Sequence, residues 1–399
     1  MSHTVHEHQR PESAVSTSAD AKAPGLVMVC DVDLEVPDGT RTHTLEVAGG
    51  FAAEGLAVDL LARGPDPGLA GVRHHRARGS ETRRVRRVSD LTLRTVALLF
   101  RRRRGARRCY VRHSWSNIPI LIAARVLGYR LVTQVDDVQY GRGSQSDASP
   151  AADYVKRLAA FLMGRLAHGV VAVSPRIKTL LVDQFRVPAE RVVVLSNGVD
   201  IDAIRPVPRL EAVRRAGLDV DARYVVFCGR FEPWDDFDTL LGAFALAHRQ
   251  HPDARLVLVG DGPERERIEA LGAELGIAEA MILTGFVEDR ARIGDLIGAA
   301  TVTVICYRDG FVGSPIKLAE YLAAGRAVVA KDTPGMRTAL EETGAGVVVP
   351  GDSRAMADAI VALLDQKQAD TLGAIGRRLA EERYSWRSIV QRTLPLFET

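Results

Sequence analysis

Short apolar runs alternate with amphipathic stretches along almost the whole chain. In the first half the pattern predicts strands at Leu26–Cys30, Ala57–Leu61, Cys109–Val111, Leu131–Val135, Gly169–Val173 and Val192–Leu195. Helices are predicted between them at Thr42–Glu54, Leu91–Phe100, Ile118–Leu127, Ala151–Leu166 and Pro175–Phe185. The alternation restarts at Tyr224–Cys228, with further strands at Arg255–Val259, Met281–Leu283, Val302–Cys306 and Ala327–Ala330. The helices of this half fall near Asp238–Arg249, Glu264–Leu275, Ile293–Ala299, Pro315–Ala324 and Ser353–Asp365. Strands that alternate with helices make parallel sheets from βαβ units. Residues 197–222 carry Pro, Asp and Gly and no strong strand, so they read as the seam between two doubly wound domains. Ligands bind in the cleft that such an arrangement leaves at the strand ends.

A length of 399 residues agrees with two domains. The first 24 residues are polar, carry no apolar signal-peptide core, and read as a disordered tail. No apolar run reaches the ~18 residues that span a bilayer. The four cysteines lie far apart at the ends of apolar runs, which fits a reduced cytoplasmic protein rather than a disulfide or zinc framework. The formal net charge is only +3, yet arginine is concentrated between Arg73 and Arg112. That stretch reads as a solvated face, as a peripheral contact with anionic membrane at the inner face, or as an attractor of a phosphorylated acceptor. It lacks the interleaved aromatics and the recognised module of a nucleic-acid binder.

The most informative segment is GFVGSPIKLAEYLAAGRAVVA at Gly310–Ala330. Ser314 followed by Pro315 reads as an N-cap and first helical residue, and Gly325 stops the helix. A helix start facing a cleft is an anion site, because its N–H groups are free and its dipole is positive there. Lys317 in the first turn opposes that dipole unless an anion is present. Glu320, three residues on, can accept hydrogen bonds from the vicinal hydroxyls of a ribose. A plain Lys317–Glu320 surface pair is the competing reading. Arg230 leaves the carboxyl end of a buried strand in CGRFEPW, where its planar fork suits phosphate. The competing reading there is a loop arginine paired with Glu232 or Asp235. Gly260-Asp261-Gly262 begins like a dinucleotide fingerprint, but Arg265 stands where a third glycine belongs, so an NAD(P) oxidoreductase is set aside.

Taken in order, these landmarks resemble the retaining GT-B glycosyltransferases of family 4, from about Leu26 to the C-terminus. Pro37-Asp38-Gly39-Thr40 is similar to the family's first phosphate-side loop. Ser196-Asn197-Gly198-Val199-Asp200 is similar to its NGVD link, and Gly229-Arg230 to the start of its donor domain. Leu256–Ile277, Thr284-Gly285-Phe286-Val287, SPIKLAEYLAAGRAVVA and Tyr384-Ser385-Trp386 also resemble family segments. The resemblance implies a GT-B fold of two Rossmann-like domains. Residues 25–200 form the acceptor side, 201–380 the nucleotide-sugar donor side, and 381–399 a helix crossing back.

It also implies site roles. Arg230 and Lys317, helped by backbone N–H groups of the turn from Ser314 through Pro315 and Ile316 to Lys317, neutralise a donor diphosphate. Glu320 holds the ribose, Phe286 and Val287 flank the base, and Gly39 and Thr40 approach the phosphate from the other domain. Asp136 orients the sugar or the acceptor, with Arg112, His113 and Asp137 on the acceptor side. The implied substrate is a nucleoside-diphosphate-sugar, with neither cofactor nor metal; Asp31-Val32-Asp33 reads as a solvated loop rather than a metal-ligand pair.

The chain departs from the family pattern at three places. Asp235 stands where members often carry a lysine. Val312 replaces the first glutamate of a Glu-x7-Glu pattern that ends at Glu320. Asp136 and then Asp137 stand where many members place a histidine. The implied activity is transfer of a sugar to a hydroxyl of a glycan, lipid-linked or secondary-metabolite acceptor. The alternatives are a nucleotide-sugar epimerase or phosphorylase on the same fold, or a donor-binding partner protein with weak catalysis.

Overall fold

The computed structural model describes residues 25–36, 39–78, 84–114, 117–136, 150–309, 314, 316–333, 335–364 and 366–398. Pro315 and Asp137, and also Pro37, Asp38 and Val312, lie outside the described residues.

The first half contains β1 (Gly25–Asp33), α1 (Gly39–Ala53), β2 (Ala57–Arg63), β3 (Val72–Arg76), α2 (Arg84–Arg102) and β4 (Ala106–Arg112). It continues with α3 (Ile118–Val126), β5 (Arg130–Val135), α4 (Pro150–Leu166), β6 (Gly169–Ala172), α5 (Pro175–Asp183) and β7 (Val192–Val194). The second half starts with α6 (Arg209–Ala216), β8 (Arg223–Cys228), α7 (Phe237–Gln250), β9 (Ala254–Val259), α8 (Arg265–Glu274) and β10 (Met281–Gly285). It goes on with α9 (Arg290–Gly298), β11 (Val302–Ile305), α10 (Ile316–Ala323), β12 (Ala327–Lys331) and β13 (Gly346–Val349). Helices α11 (Ser353–Leu363), α12 (Gln366–Leu379) and α13 (Trp386–Thr393) close the chain.

Every strand pairing is parallel. The orders are β3-β2-β1-β4-β5-β6-β7 and β10-β9-β8-β11-β12-β13. Leu26–Cys30 and Tyr224–Cys228 are buried on both faces, as near-continuous apolar strands require when helices cover both sides of a parallel sheet. The order reverses between β1 and β4 and again between β8 and β11. Those two reversals open a crevice at the carboxyl ends of the strands.

Local chemistry sets the element ends. Asp236 caps α7 by accepting from the Thr239 N–H at 3.3 Å, and Asp352 caps α11 by accepting from Ala355 at 2.8 Å. Gly217, at φ 70°, ends α6 in the left-handed region.

The structure amends several expectations. Residues 197–222 are not a bare link, because α6 lies inside them and buries Ala212, Val213 and Ala216 in the second domain's core. Strands β3 and β13 and helix α12 were not foreseen, whereas the closing helix expected within residues 381–399 is α13. β3 reads VRHHR, and its polar residues hide the strand signal. Asp31 and Asp33 lie on β1, where both face Arg63, at 3.4 and 3.0 Å. They are counter-ions and not a solvated loop. The four cysteines are buried and unpaired.

The last helix joins the first domain. Trp386, Ile389, Val390, Leu396 and Phe397 are buried with Val47, Phe51 and Tyr110. Trp386 also crowds Gly198, where a Cβ would lie 2.5 Å from the indole. Among the described residues no helix is long and apolar enough to cross a membrane.

Candidate functional site

The two switch points face each other across the crevice. At the first, β1 leads into α1, and β4 and β5 end beside it. Thr40 in the first turn of α1 accepts from Arg112 Nη2 at 3.5 Å. Arg112 ends β4 and forms an ion pair with Asp136, which follows β5. The Gln134 side-chain amide also donates to Asp136. Gln134 in turn accepts from the Tyr110 hydroxyl, and its Nε2 lies 2.8 Å from His43 Nε2. His43 meets the Trp386 ring edge-on, with centroids 5.2 Å apart. A polar chain thus runs from His43, which packs on the C-terminal helix, through Gln134 to Asp136.

Electrostatics define what this half can do. Burial pushes the Asp136 carboxyl up, but the adjacent Arg112 charge and the donated hydrogen bonds outweigh it and hold it below the usual carboxylate range. Asp136 is therefore an acceptor of hydrogen bonds near neutral pH. Burial lowers His43 and His113 to about 4, so both are neutral rings. The His113 backbone N–H donates to the Gln134 carbonyl at 2.7 Å, which extends the β4–β5 ladder by one residue.

At the second switch point β8 ends in Gly229, at φ 150°. Arg230 follows, well exposed, with its Nε 2.6 Å from Glu232. That pairing matches the plainer of its two readings, and it leaves the rest of the guanidinium facing solvent. Gly229, Gly260 and Gly285 stack at the ends of β8, β9 and β10. Gly229 donates to Val259 at 2.9 Å, and Gly260 donates to Gly285 at 3.1 Å. A Cβ on Gly260 would sit 2.1 Å from the Gly229 carbonyl, so this glycine serves backbone contact rather than a dinucleotide turn. The stacking sets Phe286, which is 61% exposed, on the same edge as Arg230. Val287 beside it is half-buried against the core.

Helix α10 is where the sequence reading changes most. The Lys317 ammonium is nearly buried, 2.9 Å from Asp235 and 3.9 Å above the Phe227 ring. It lies beneath Gly229, where a Cβ would come within 3.3 Å of Nζ. Glu320 pairs with Arg290 at 2.8 Å. Lys317 and Glu320 therefore do not pair with each other. Asp235, at the position where the family often carries a lysine, is here the counter-ion of Lys317. Ser314 is held by the interdomain link, because Asn197 N–H donates to its Oγ at 3.0 Å and Asn197 Nδ2 to its carbonyl at 2.8 Å. The Ser314 hydroxyl is thus an acceptor for the link. Gly39 completes the meeting of the two halves: a Cβ there would lie 2.9 Å from Ile316 Cδ1, so the starts of α1 and α10 touch.

The structure therefore brings Gly39 to Ile316, and Thr40 to Arg112 and Asp136. Gln134, His43 and Arg290 escaped the sequence reading, as did the partners of Asn197 and Asp235. Gln134 carried a signal, being a polar residue in an otherwise apolar strand; Arg290 carried none, since its partner is set by tertiary packing. Among the described residues no group of three or more His, Cys, Asp or Glu is placed to hold a metal ion.

Two doubly wound domains with facing helix starts, joined by a link and a returning C-terminal helix, define a GT-B-type protein. The family model described as Glycosyltransferase Family 4 matches residues 37–203, and the one described as Glycosyl transferases group 1 matches residues 222–366. The chain belongs to the family 4 GT-B glycosyltransferases.

It is 31% identical over 227 residues to a D-inositol 3-phosphate glycosyltransferase of Thermobispora bispora, covering 54% of this chain and 52% of that protein. It is 30% identical over 241 residues to a phosphatidyl-myo-inositol mannosyltransferase of Mycobacterium leprae, covering 60% and 59%. An alpha-D-kanosaminyltransferase of Streptomyces kanamyceticus is 29% identical over 256 residues, covering 62% and 64%. The chain thus spans little more than half the length of the first two relatives. In fold it is similar to a sucrose-phosphate synthase from Thermosynechococcus elongatus, with a TM-score of 0.75 at 20% identity over 94% of this chain and 98% of that one. Anabaena HepE, solved in complex with UDP and glucose, superposes with a TM-score of 0.71 at 20% identity over 94% and 99%.

Proposed function

We propose that this chain transfers a sugar, with retention at the anomeric carbon, from a nucleoside diphosphate to an acceptor hydroxyl. The observation that carries the proposal is the contact between the starts of α1 and α10 across the crevice. Two helix N-termini converging there favour a diphosphate. Arg230 adds an exposed fork, and Lys317 adds positive charge from beneath Gly229. Glu320 accepts from the ribose once Arg290 shares it, and Phe286 and Val287 flank the base.

Negative charge grows on the departing diphosphate as the glycosidic bond breaks. Preorganised donors at that position therefore stabilise the transition state more than the ground state. No enzyme nucleophile is required, since the acceptor hydroxyl enters from the face the diphosphate leaves and gives its proton to that departing diphosphate. Asp136, ionised beside Arg112, orients the sugar or the acceptor hydroxyl. The reading needs no metal, and a chelator should leave the rate unchanged. Anabaena HepE binds UDP by its description, and the Mycobacterium tuberculosis relative is GDP-mannose-dependent. UDP and GDP are therefore the first bases to try. The relatives described as a D-inositol 3-phosphate glycosyltransferase and a phosphatidyl-myo-inositol mannosyltransferase make polyols and inositol lipids the acceptor classes to screen first. Exposed Leu93 and Phe100 on α2 support a peripheral membrane contact beside the arginines.

A thermal-shift panel of nucleoside diphosphates and their sugars on wild type and Glu320→Ala tests the reading. Ligand at a hundredfold excess over its dissociation constant stabilises the native state by about 2.7 kcal/mol. A shift with one nucleotide that the variant loses supports the donor site. No shift with any nucleotide sinks it. Isomerised donor without acceptor consumption would favour the epimerase.

A further inference from the structure

Arg290 opens α9, and Glu320 lies one turn into α10. Arg290 Nη1 donates to Glu320 Oε1 at 2.8 Å. The glutamate side chain is 8% exposed and the arginine 40%, so the arginine is the solvent-facing member of the pair.

The two helices do not need this pair to hold together. Leu296 and Ile297 of α9 already pack with Leu318 and Leu322 of α10 in one apolar cluster. Nor does the start of α9 favour a cation, because the helix dipole is positive there. A pair of charges withdrawn from water is costly unless the remaining donors and acceptors are also used. Within the chain they are not. Among the described residues the Glu320 side chain accepts this one hydrogen bond and the Arg290 side chain donates this one. A guanidinium has several further N–H donors, and a carboxylate several further lone pairs.

The neighbours fix where the pair lies. Arg290, Glu320 and Lys317 are all close enough to the Cys228 thiol to act on its charge, and Cys228 ends β8 just before Gly229. On the other side Val287, three residues before Arg290, packs on the same apolar cluster. The pair therefore lies between the residue that flanks the base and the glycine at the diphosphate. Asp200 of the link and Glu46 of α1 also act on Arg290. Carboxylates from α10, the link and the first domain thus hold this one guanidinium where the domains meet.

We propose that Arg290 selects a ribose over a 2′-deoxyribose, by donating to the same sugar hydroxyl that donates to Glu320. A hydroxyl gives one hydrogen bond and accepts others. A carboxylate alone uses only the first role, whereas a guanidinium and a carboxylate in contact use both. The 2′-hydroxyl is the one next to the base, and Arg290 is on the base side of Glu320. An analogue without that hydroxyl leaves both charged groups with an unmet bond, and such sites reject it strongly. The donor is then a sugar on a ribonucleoside diphosphate, and the same sugar on a 2′-deoxyribonucleoside diphosphate is refused. The inference rests on the transferase reading, which puts the ribose at Glu320.

Calorimetry on the full chain with UDP and with GDP finds the base that binds. Its 2′-deoxy and 3′-deoxy diphosphates are then titrated into wild type, Arg290→Gln and Arg290→Lys. Wild type should bind the 2′-deoxy analogue at least about a hundredfold more weakly than the ribonucleotide. Arg290→Gln should weaken the ribonucleotide by about tenfold and leave the 2′-deoxy analogue within about twofold, so that the ratio shrinks. Its ratio for the 3′-deoxy analogue, which keeps the 2′-hydroxyl, should not change. Arg290→Lys, which still donates from that position, should restore part of the lost ratio. Equal weakening of the ribonucleotide and its 2′-deoxy analogue by Arg290→Gln would make the arginine a structural partner of Glu320 and overturn the proposal. Tighter ribonucleotide binding by that variant overturns it too. The wild-type ratio tests the idea whatever the variants do to stability. If UDP or GDP binds wild type no better than its 2′-deoxy analogue, only this inference falls; if neither nucleotide binds, the transferase reading falls with it.

Discussion

The Lys317 ammonium and the Asp235 carboxylate lie 2.9 Å apart, 82 residues apart in sequence, and both are almost wholly removed from solvent. The pair sits under Gly229 at the switch point of the second sheet. Burial pushes the Asp235 carboxyl up, and the Lys317 charge pulls it back only in part. Removing one partner leaves a buried charge unpaired. Asp235→Ala should therefore cost about 3–5 kcal/mol of stability in urea unfolding. Asp235→Leu combined with Lys317→Met should recover most of that loss. If the double variant recovers stability but binds UDP or GDP far more weakly, Lys317 acts on the diphosphate; if it binds as wild type, the pair is structural only.

Glu320 and Arg230 should separate by the part of the nucleotide each serves. Glu320→Ala removes the proposed ribose acceptor and should weaken uridine (or guanosine) and its diphosphate alike, by about tenfold to a hundredfold. Arg230→Gln should weaken the diphosphate by about tenfold and leave the nucleoside unchanged. Calorimetry with both ligands on both variants checks the pattern. Equal losses of nucleoside and diphosphate for Arg230→Gln would place that arginine elsewhere.

His43 and His113 should shape the acid limb of stability. Burial lowers both to about 4 from an ordinary 6.5, so the folded chain keeps them neutral where the unfolded chain takes up protons. Their contribution is complete above the unfolded value and is lost as pH falls from there through about 4. Between about pH 7.5 and about pH 5 each histidine should cost on the order of 2 kcal/mol. His43→Gln should remove its share of that slope. Denaturant unfolding at both pH values measures it, and an unchanged slope would contradict the buried neutral ring.

Gly260→Ala should be poorly tolerated. The added Cβ would meet the Gly229 carbonyl at 2.1 Å, with φ at 133°, and a backbone neighbour cannot swing away. Overpacking and backbone strain together predict a loss on the order of 3 kcal/mol. Gly49, where a Cβ would meet nothing within 4 Å, supplies the contrast, since Gly49→Ala in α1 should be neutral or stabilising. Melting temperatures of the two variants test the difference.

Asn197→Ala should loosen the hold of the link on α10. It would remove the 2.8 Å bond to the Ser314 carbonyl while keeping the backbone bond to Ser314 Oγ. About 1 kcal/mol of that hold is lost with the bond. The expected outcome is weaker nucleotide binding with little change in melting temperature. A large drop in melting temperature would instead make Asn197 a domain-docking residue.

Much of this protein was determined by sequence alone. Apolar runs such as LVMVC and YVVFC could only be buried strands, and their alternation with helical segments forced two parallel sheets. The family motifs, in order, located Arg230, Phe286, Ser314 and Glu320 on strand ends and one helix start. These features depend on residues near one another in the chain, so a linear pattern exposes them. The charged partners do not. Asp235 finds Lys317, Arg290 finds Glu320, and Asn197 finds Ser314 only because crossovers set particular strand ends side by side. The basic stretch has the same character. The sequence left it open between a solvated face, a membrane contact and an anion site. Asp59 and Asp90 decide which of its charges are spent internally, by taking Arg73, Arg102 and Arg94, and where a carboxylate lands relative to an arginine is a property of the packed domain alone.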